Sequence, residues 1–209
     1  NASSISTYES LIAKGLFSKE VFYQLAYTLR KVGNYEDAFI YLSKAENICE
    51  REDLFFEKII NLKGTLYFLS GDYDNAKNEY ESSLKLAKQK GNTVEEIKSL
   101  ANLAIIKDQY GEVKEARKDF LYAMNLANEI ENVELLAFLY SELGVSYTYT
   151  NNLVEARKNY ENSYSLYKMI KNNERLSYLS ANIGALFLQI SNYKSALKYY
   201  NEGLDYAGS

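Results

Sequence analysis

Histidine, proline and tryptophan are absent from this 209-residue chain, and Cys49 is its only cysteine. A single thiol excludes an internal disulfide, and without histidine it leaves no ordinary zinc-binding set. The same absence removes Ser-His-Asp and Cys-His arrangements and the usual general base near neutral pH. Cys49 therefore reads as a small buried apolar residue near a helix end, because no imidazole exists to activate it as a nucleophile. With no visible constellation of acid, base and nucleophile, the expectation is a non-enzymatic chain with neither metal nor cofactor. No run approaches the roughly 20 apolar residues of a membrane-spanning helix, and no charged-then-apolar leader stands at the start, so no membrane partner is expected. The short polar opening, NASSIS, is given no functional weight. A formal net charge of -4 speaks against a nucleic-acid surface, which shows a basic face. The Lys85, Lys88 and Lys90 cluster reads instead as cations at a helix C-terminus, where the helix dipole favours them.

With no proline and 10 glycines, the usual breakers are scarce, while Ala, Leu, Glu and Lys fill the long segments between turns. That composition predicts an all-helical protein. No Gly/Ser-rich linker or shift in composition marks an internal boundary. The organising feature is a repeat. Turn signals fall at Gly33, Gly71, Gly111, Asn151 and Ser191, at spacings of 38, 40, 40 and 40. Five residues after each stands Ala38, Ala76, Ala116, Ala156 or Ala196, and nine after it Leu42, Tyr80, Phe120, Tyr160 or Tyr200. Seven before it stands Ala26, Gly64, Ala104, Gly144 or Gly184. Small residues on two successive helices let the backbones approach, and a large one farther along fills the widening gap. Asn34, Asp72, Asn152 and Asn192 follow the turns as N-caps of the second helices, and Thr93 with Glu96 makes a capping box for another helix.

The predicted helices are 19–32 and 35–50, 54–70 and 73–90, 94–110 and 113–130, 133–150 and 153–171, then 174–190 and 193–206. Residues 5–16 form a further helix with Tyr8 and Leu11 on its buried side.

These residues resemble the tetratricopeptide repeat, whose helix-turn-helix units carry small residues, a Tyr and a turn Gly at such offsets. The stretch NLKGTLYFLSGDYDNAKNEYESSL, 61 to 84, is the nearest match. The usual first-helix Trp is replaced by Phe22, Ile60, Leu100, Tyr140 and Ser180, and the closing Pro is missing, as in the longer, roughly 40-residue variety of the repeat. That variety includes Pins-type scaffolds and bacterial peptide-pheromone receptors. The resemblance implies an all-α, right-handed superhelical solenoid. It places a partial preceding repeat at 1–17 and five repeats at about 18–52, 53–92, 93–132, 133–172 and 173–209, in one solenoid domain.

In this family the first helices line the concave side. The resemblance thus selects Tyr23, Gln24, Tyr27 and Arg30, then Lys58, Asn61, Thr65 and Phe68, then Lys98, Asn102 and Asp108. It continues with Phe138, Ser141, Glu142 and Tyr149, then Tyr178, Asn182 and Gln189. Amides can pair with any peptide backbone and aromatic faces accept apolar side chains, so the lining suits an extended peptide. The same residues also suit solvated helix surface or packing between adjacent first helices. The family's chaperone-tail clamp is incomplete, since Tyr23 and Tyr27 stand where it uses Lys and Asn. The expected function is a protein- or peptide-binding scaffold within a larger cytoplasmic bacterial regulatory or signalling protein. The alternatives are a peptide sensor switching an attached output domain, and a structural module that self-associates as a homo-oligomer through Leu197, Tyr200 and Leu204 on the last helix.

Overall fold

A computed structural model describes residues 2–208, which form eleven α-helices joined by short turns. They are α1 Ala2–Ala13, α2 Lys19–Lys31, α3 Tyr35–Ile48, α4 Phe56–Leu69, α5 Tyr73–Lys90 and α6 Thr93–Gln109. The rest are α7 Val113–Glu129, α8 Val133–Tyr149, α9 Leu153–Met169, α10 Asn173–Gln189 and α11 Tyr193–Ala207. The predicted ends lie within a few residues of these, the largest difference being α1, which starts and stops earlier than 5–16. Ile5, Tyr8 and Ile12 of α1 pack on the neighbouring core, whereas Leu11, expected there, lies outside that cluster.

All five predicted turn residues take left-handed φ: Gly33, Gly71 and Gly111 near +80°, Asn151 at +56° and Ser191 at +60°. The last two hold a conformation that costs an L-residue energy, and a short polar side chain tolerates it best. The four predicted N-caps also form. Asn34, Asp72, Asn152 and Asn192 each accept from the backbone N–H three residues on, at 3.3, 3.2, 3.5 and 3.1 Å. Ser18, Asn132 and Asn172 do the same for α2, α8 and α10. The expected Thr93 capping box is displaced by one residue: Asn92 is the acceptor, taking the Glu95 N–H at 3.3 Å.

Consecutive helices pair as antiparallel neighbours, α2 with α3, α4 with α5, α8 with α9 and α10 with α11. The paired glycines explain the closeness. A Cβ placed at Gly64, Gly144 or Gly184 would stand 2.7, 2.5 or 2.8 Å from the ring of Tyr80, Tyr160 or Tyr200. The aromatic ring thus lies flat on the bare backbone of the first helix. Serines add a polar tie at these crossings, with Ser83 Oγ donating to the Glu57 carbonyl and Ser163 Oγ to that of Ala137. In the last pair the direction reverses. Gly203 has no side chain to donate, and Ser177 Oγ donates to the Gly203 carbonyl at 2.8 Å.

The described residues fall into two compact units, one through Leu103 and one from Ala104, dividing inside α6 where no linker exists. The first is built on Phe22, Leu25, Leu29, Leu42, Ile59 and Leu66, and the second on Tyr160, Tyr167, Leu176, Leu179, Ile183 and Leu186. Cys49 is buried at the C-cap of α3, and burial pushes its thiol up, consistent with a packing residue.

Candidate peptide-binding face

In the first unit, α2, α4 and the start of α6 carry ten of the expected contact residues, and the structure divides them. Tyr23 and Tyr27, one turn apart on α2, stack at 6.4 Å between centroids, and Phe55 meets Tyr23 edge-on at 5.1 Å. Lys58 Nζ sits over the Phe55 ring at 5.4 Å and the Arg30 guanidinium over Tyr27 at 4.7 Å. Burial, with Glu95 beside it, pushes the Tyr23 phenol well up, so it stays a neutral donor. Gln24 is exposed. Lys98 is tied to the buried carboxylate of Glu95 at 2.7 Å, which neutralises its charge locally.

Asn61 behaves differently from its expected role. It is buried, its amide donates to Ser99 Oγ at 3.1 Å, and its carbonyl accepts from Asn102 Nδ2 at 3.1 Å. Ser99 in turn donates to Ser83 at 2.9 Å, so a polar chain runs from Asn102 on α6 through Asn61 on α4 and Ser99 on α6 into α5. Asn61 is therefore inter-helix packing, not ligand surface. Counted from the turns, Gln24, Asn102, Glu142 and Asn182 share one repeat position, and Asn61 stands one residue earlier. One residue is a rotation of about 100° around the helix, enough to turn a side chain from the open face to the neighbouring helix.

In the second unit, Phe138, Glu142 and Tyr149 lie on α8 and Tyr178 and Asn182 on α10, helices that touch. Tyr178 and Asn182, four residues apart, are both exposed. Tyr149 is exposed too, Phe138 is half-buried beneath the Arg175 guanidinium at 5.8 Å, and Gln189 donates to Asn151 at 3.2 Å. Glu142 is only half-exposed. Burial pushes its carboxyl up to about 7, Arg175 opposing and Asp108 adding to the rise. Asp108 is itself raised by burial, against a hydrogen bond from Ser146 and the charge of Arg117, and its buried Oδ1 has no partner. The guanidinium of Arg117 lies over Tyr147 at 3.9 Å and reaches Thr150 Oγ1 at 2.5 Å.

The raised Glu142 carboxyl gives a pH prediction. An unfolded Glu releases its proton at lower pH than this folded one, so the folded state holds more protons between about pH 4.5 and 7. Stability should fall as pH rises through that window, by on the order of 1–3 kcal/mol, and level off above it. In Glu142→Gln the fall should be lost, so that the variant gains on the parent toward pH 8. Urea unfolding of both proteins across the range checks this, and parallel pH curves would refute it.

Phe55, Glu95 and Arg175 were not among the expected residues. All three occupy one repeat position, sixteen residues before Gly71, Gly111 and Ser191, and that column is the signal that could have found them. At the far end, Leu197 and Leu204 are exposed on α11, but Tyr200 is half-buried, with its ring against Gly184. Of the three residues expected to self-associate, two are thus exposed and the third is spent partly on packing inside its own hairpin. No described helix is long and apolar enough to cross a membrane.

Among solved structures, the chain resembles BtubC (BKLC) from P. vanneervenii, with a TM-score of 0.67 and 20% identity over 99% of this chain and 88% of that one. It resembles a Rap protein complexed with Competence and Sporulation Factor, with a TM-score of 0.81 and 14% identity over 91% of this chain and 54% of that one. A third is the Rap conjugation gene regulator of the plasmid pLS20 in complex with the Phr* peptide, at 0.79 and 17% identity over 90% and 53%. The chain spans about half the length of the two Rap proteins. At such identities the likeness is one of fold. No curated protein sequence matches the chain. Models of the tetratricopeptide repeat match residues 19–51, 57–90 and 135–208, more than half of the chain, and the last two segments hold the glycine-on-tyrosine hairpins. The chain belongs to the tetratricopeptide repeat family, a family of generally non-catalytic protein-binding scaffolds.

Proposed function

We propose that the chain is a receptor module for an extended peptide or protein segment, held against the first helices of its hairpins, within a larger cytoplasmic bacterial regulatory protein. The observation that carries this reading is the pair Tyr178 and Asn182 on α10, an exposed aromatic and an exposed amide one turn apart. An exposed ring offers apolar area at low entropic cost, and an amide can both donate to and accept from a peptide backbone. Two of the proteins with the same fold were captured with a peptide or signalling factor bound, which is consistent with this use of the scaffold. A peptide sensor that switches an attached output domain would use the same face, and a regulatory output domain encoded beside this segment favours that form.

The test is selection of displayed random peptides on the purified chain, followed by affinity measurements on the winners. Tyr178→Ala with Asn182→Ala should weaken binding about tenfold or more, each lost contact contributing of order 1 kcal/mol. Stability should stay within about 0.5 kcal/mol of the parent, because both side chains are exposed. Failure to select any peptide, or full affinity in the double variant, refutes the reading. Asn102 is unsuited to this test, since its amide supports the buried Asn61.

A further inference from the structure

We infer that the first unit carries an anion-reading subsite on α2 and α4, in which Arg30 takes a carboxylate of a bound acidic peptide and the rings of Tyr23, Tyr27 and Phe55 take the apolar side chain beside it. The inference rests on the proposed use of the first helices as a peptide-binding face and specifies what one part of that face selects.

The starting point is an imbalance of charge. Most half-buried lysines of this unit are matched by a carboxylate: Lys19 by Asp53, Lys63 by Glu46 at 3.1 Å and Glu79 at 3.3 Å, and Lys90 by Glu57 at 3.4 Å. Lys98 is matched by Glu95. Arg30 is not. Among the described residues no carboxylate pairs with it, and its Nε is buried without a hydrogen-bond partner. A buried N–H left unpaired is costly, and a guanidinium, which keeps its charge at any ordinary pH, cannot relieve the cost by losing a proton. The Tyr27 ring at 4.7 Å holds the guanidinium plane in place. A fixed planar fork with unused donors matches the two oxygens of a carboxylate.

The surroundings favour the same ligand. The guanidinium of Arg30 stands over Tyr27, the ring that stacks with Tyr23. Lys58 lies over Phe55 at 5.4 Å. The carboxylate of Glu95, beside Tyr23, is already neutralised by Lys98. The face is therefore cationic and aromatic, complementary to a peptide in which an acidic residue neighbours an apolar one.

The test uses the unsubstituted chain and three fluorescein-labelled peptides of equal length, alternating Glu and Phe, Gln and Phe, or Lys and Phe. Fluorescence anisotropy should show the Glu–Phe peptide binding about tenfold more tightly than Gln–Phe, with Lys–Phe weakest. Arg30→Gln should bring Glu–Phe down to the level of Gln–Phe, Arg30→Lys should retain an intermediate preference, and Phe55→Ala should weaken both peptides alike. Circular dichroism confirms the fold of each variant, and the ratio measured on the parent stands without any variant. Equal binding of Glu–Phe and Gln–Phe, or an unchanged preference in Arg30→Gln or Arg30→Lys, overturns the subsite while leaving the peptide-binding face in place. If none of the three peptides binds, the subsite and the use of this unit's face both fail.

Discussion

Replacing Tyr80 by Ala is expected to destabilise the chain by about 3–5 kcal/mol, the cost of deleting a buried aromatic side chain. Tyr80 is 2% exposed, and its hydroxyl donates to Thr65 Oγ1 at 3.2 Å. Its ring rests on Gly64, which has no side chain to move into the space left behind. The reverse change is as informative. Helix propensity alone would make Gly64→Ala a gain of about 1 kcal/mol. Here the new methyl would stand 2.7 Å from both Cδ1 and Cε1 of the ring, a contact neither partner can relieve without moving the helices apart. Gly64→Ala should therefore destabilise the parent and be neutral or stabilising once Tyr80 is Ala. Chemical denaturation of the two single variants and the double variant measures the coupling, expected at about 1–3 kcal/mol. Additive effects would show that the ring and the glycine do not share a contact.

The second large effect is expected at Lys90. Its ammonium donates to the carbonyls of Arg51 at 2.5 Å and Asp53 at 2.8 Å and pairs with Glu57 Oε2 at 3.4 Å. Glu57 is fully buried, and its other oxygen, Oε1, has no partner. Lys90→Met should cost about 3–5 kcal/mol, because a buried carboxylate would lose its one counter-charge among the described residues. The loop between α3 and α4 would lose its clamp at the same time. Glu57→Met in that background should recover most of the loss, since well-packed apolar pairs replace buried ion pairs with little penalty. Lys88→Met is the control. Its side chain is half exposed and its contact with Glu96 is 3.7 Å, so less than about 1 kcal/mol should be lost. A Lys90→Met protein that unfolds at nearly the parent's urea concentration would sink this account.

What was legible in the residues alone is what neighbouring residues settle among themselves. The left-handed turns at Gly33, Gly71, Gly111, Asn151 and Ser191 depend on the conformational range of one residue, and the Asn and Asp caps on a hydrogen bond spanning three. The small-to-large pattern of each hairpin was legible too, because Gly64 and Tyr80 meet across a turn that fixes their approach. Where the chain's own neighbours do not decide, only packing did. Asn61 and Asn102 look alike in sequence, but one residue of helical rotation sends Asn61 between helices and leaves Asn102 at the face. Lys88 and Lys90 look like two cations at one helix end. Their separation turns Lys90 inward to a carboxylate far away in sequence and leaves Lys88 half exposed beside Glu96. Tyr200 shared its helical spacing with Leu197 and Leu204, yet its ring packs against Gly184 while the leucines stay exposed. Local preference sets the period of the repeat, while the rotation of each helix against its neighbours decides which polar side chains become structure and which are left for a ligand.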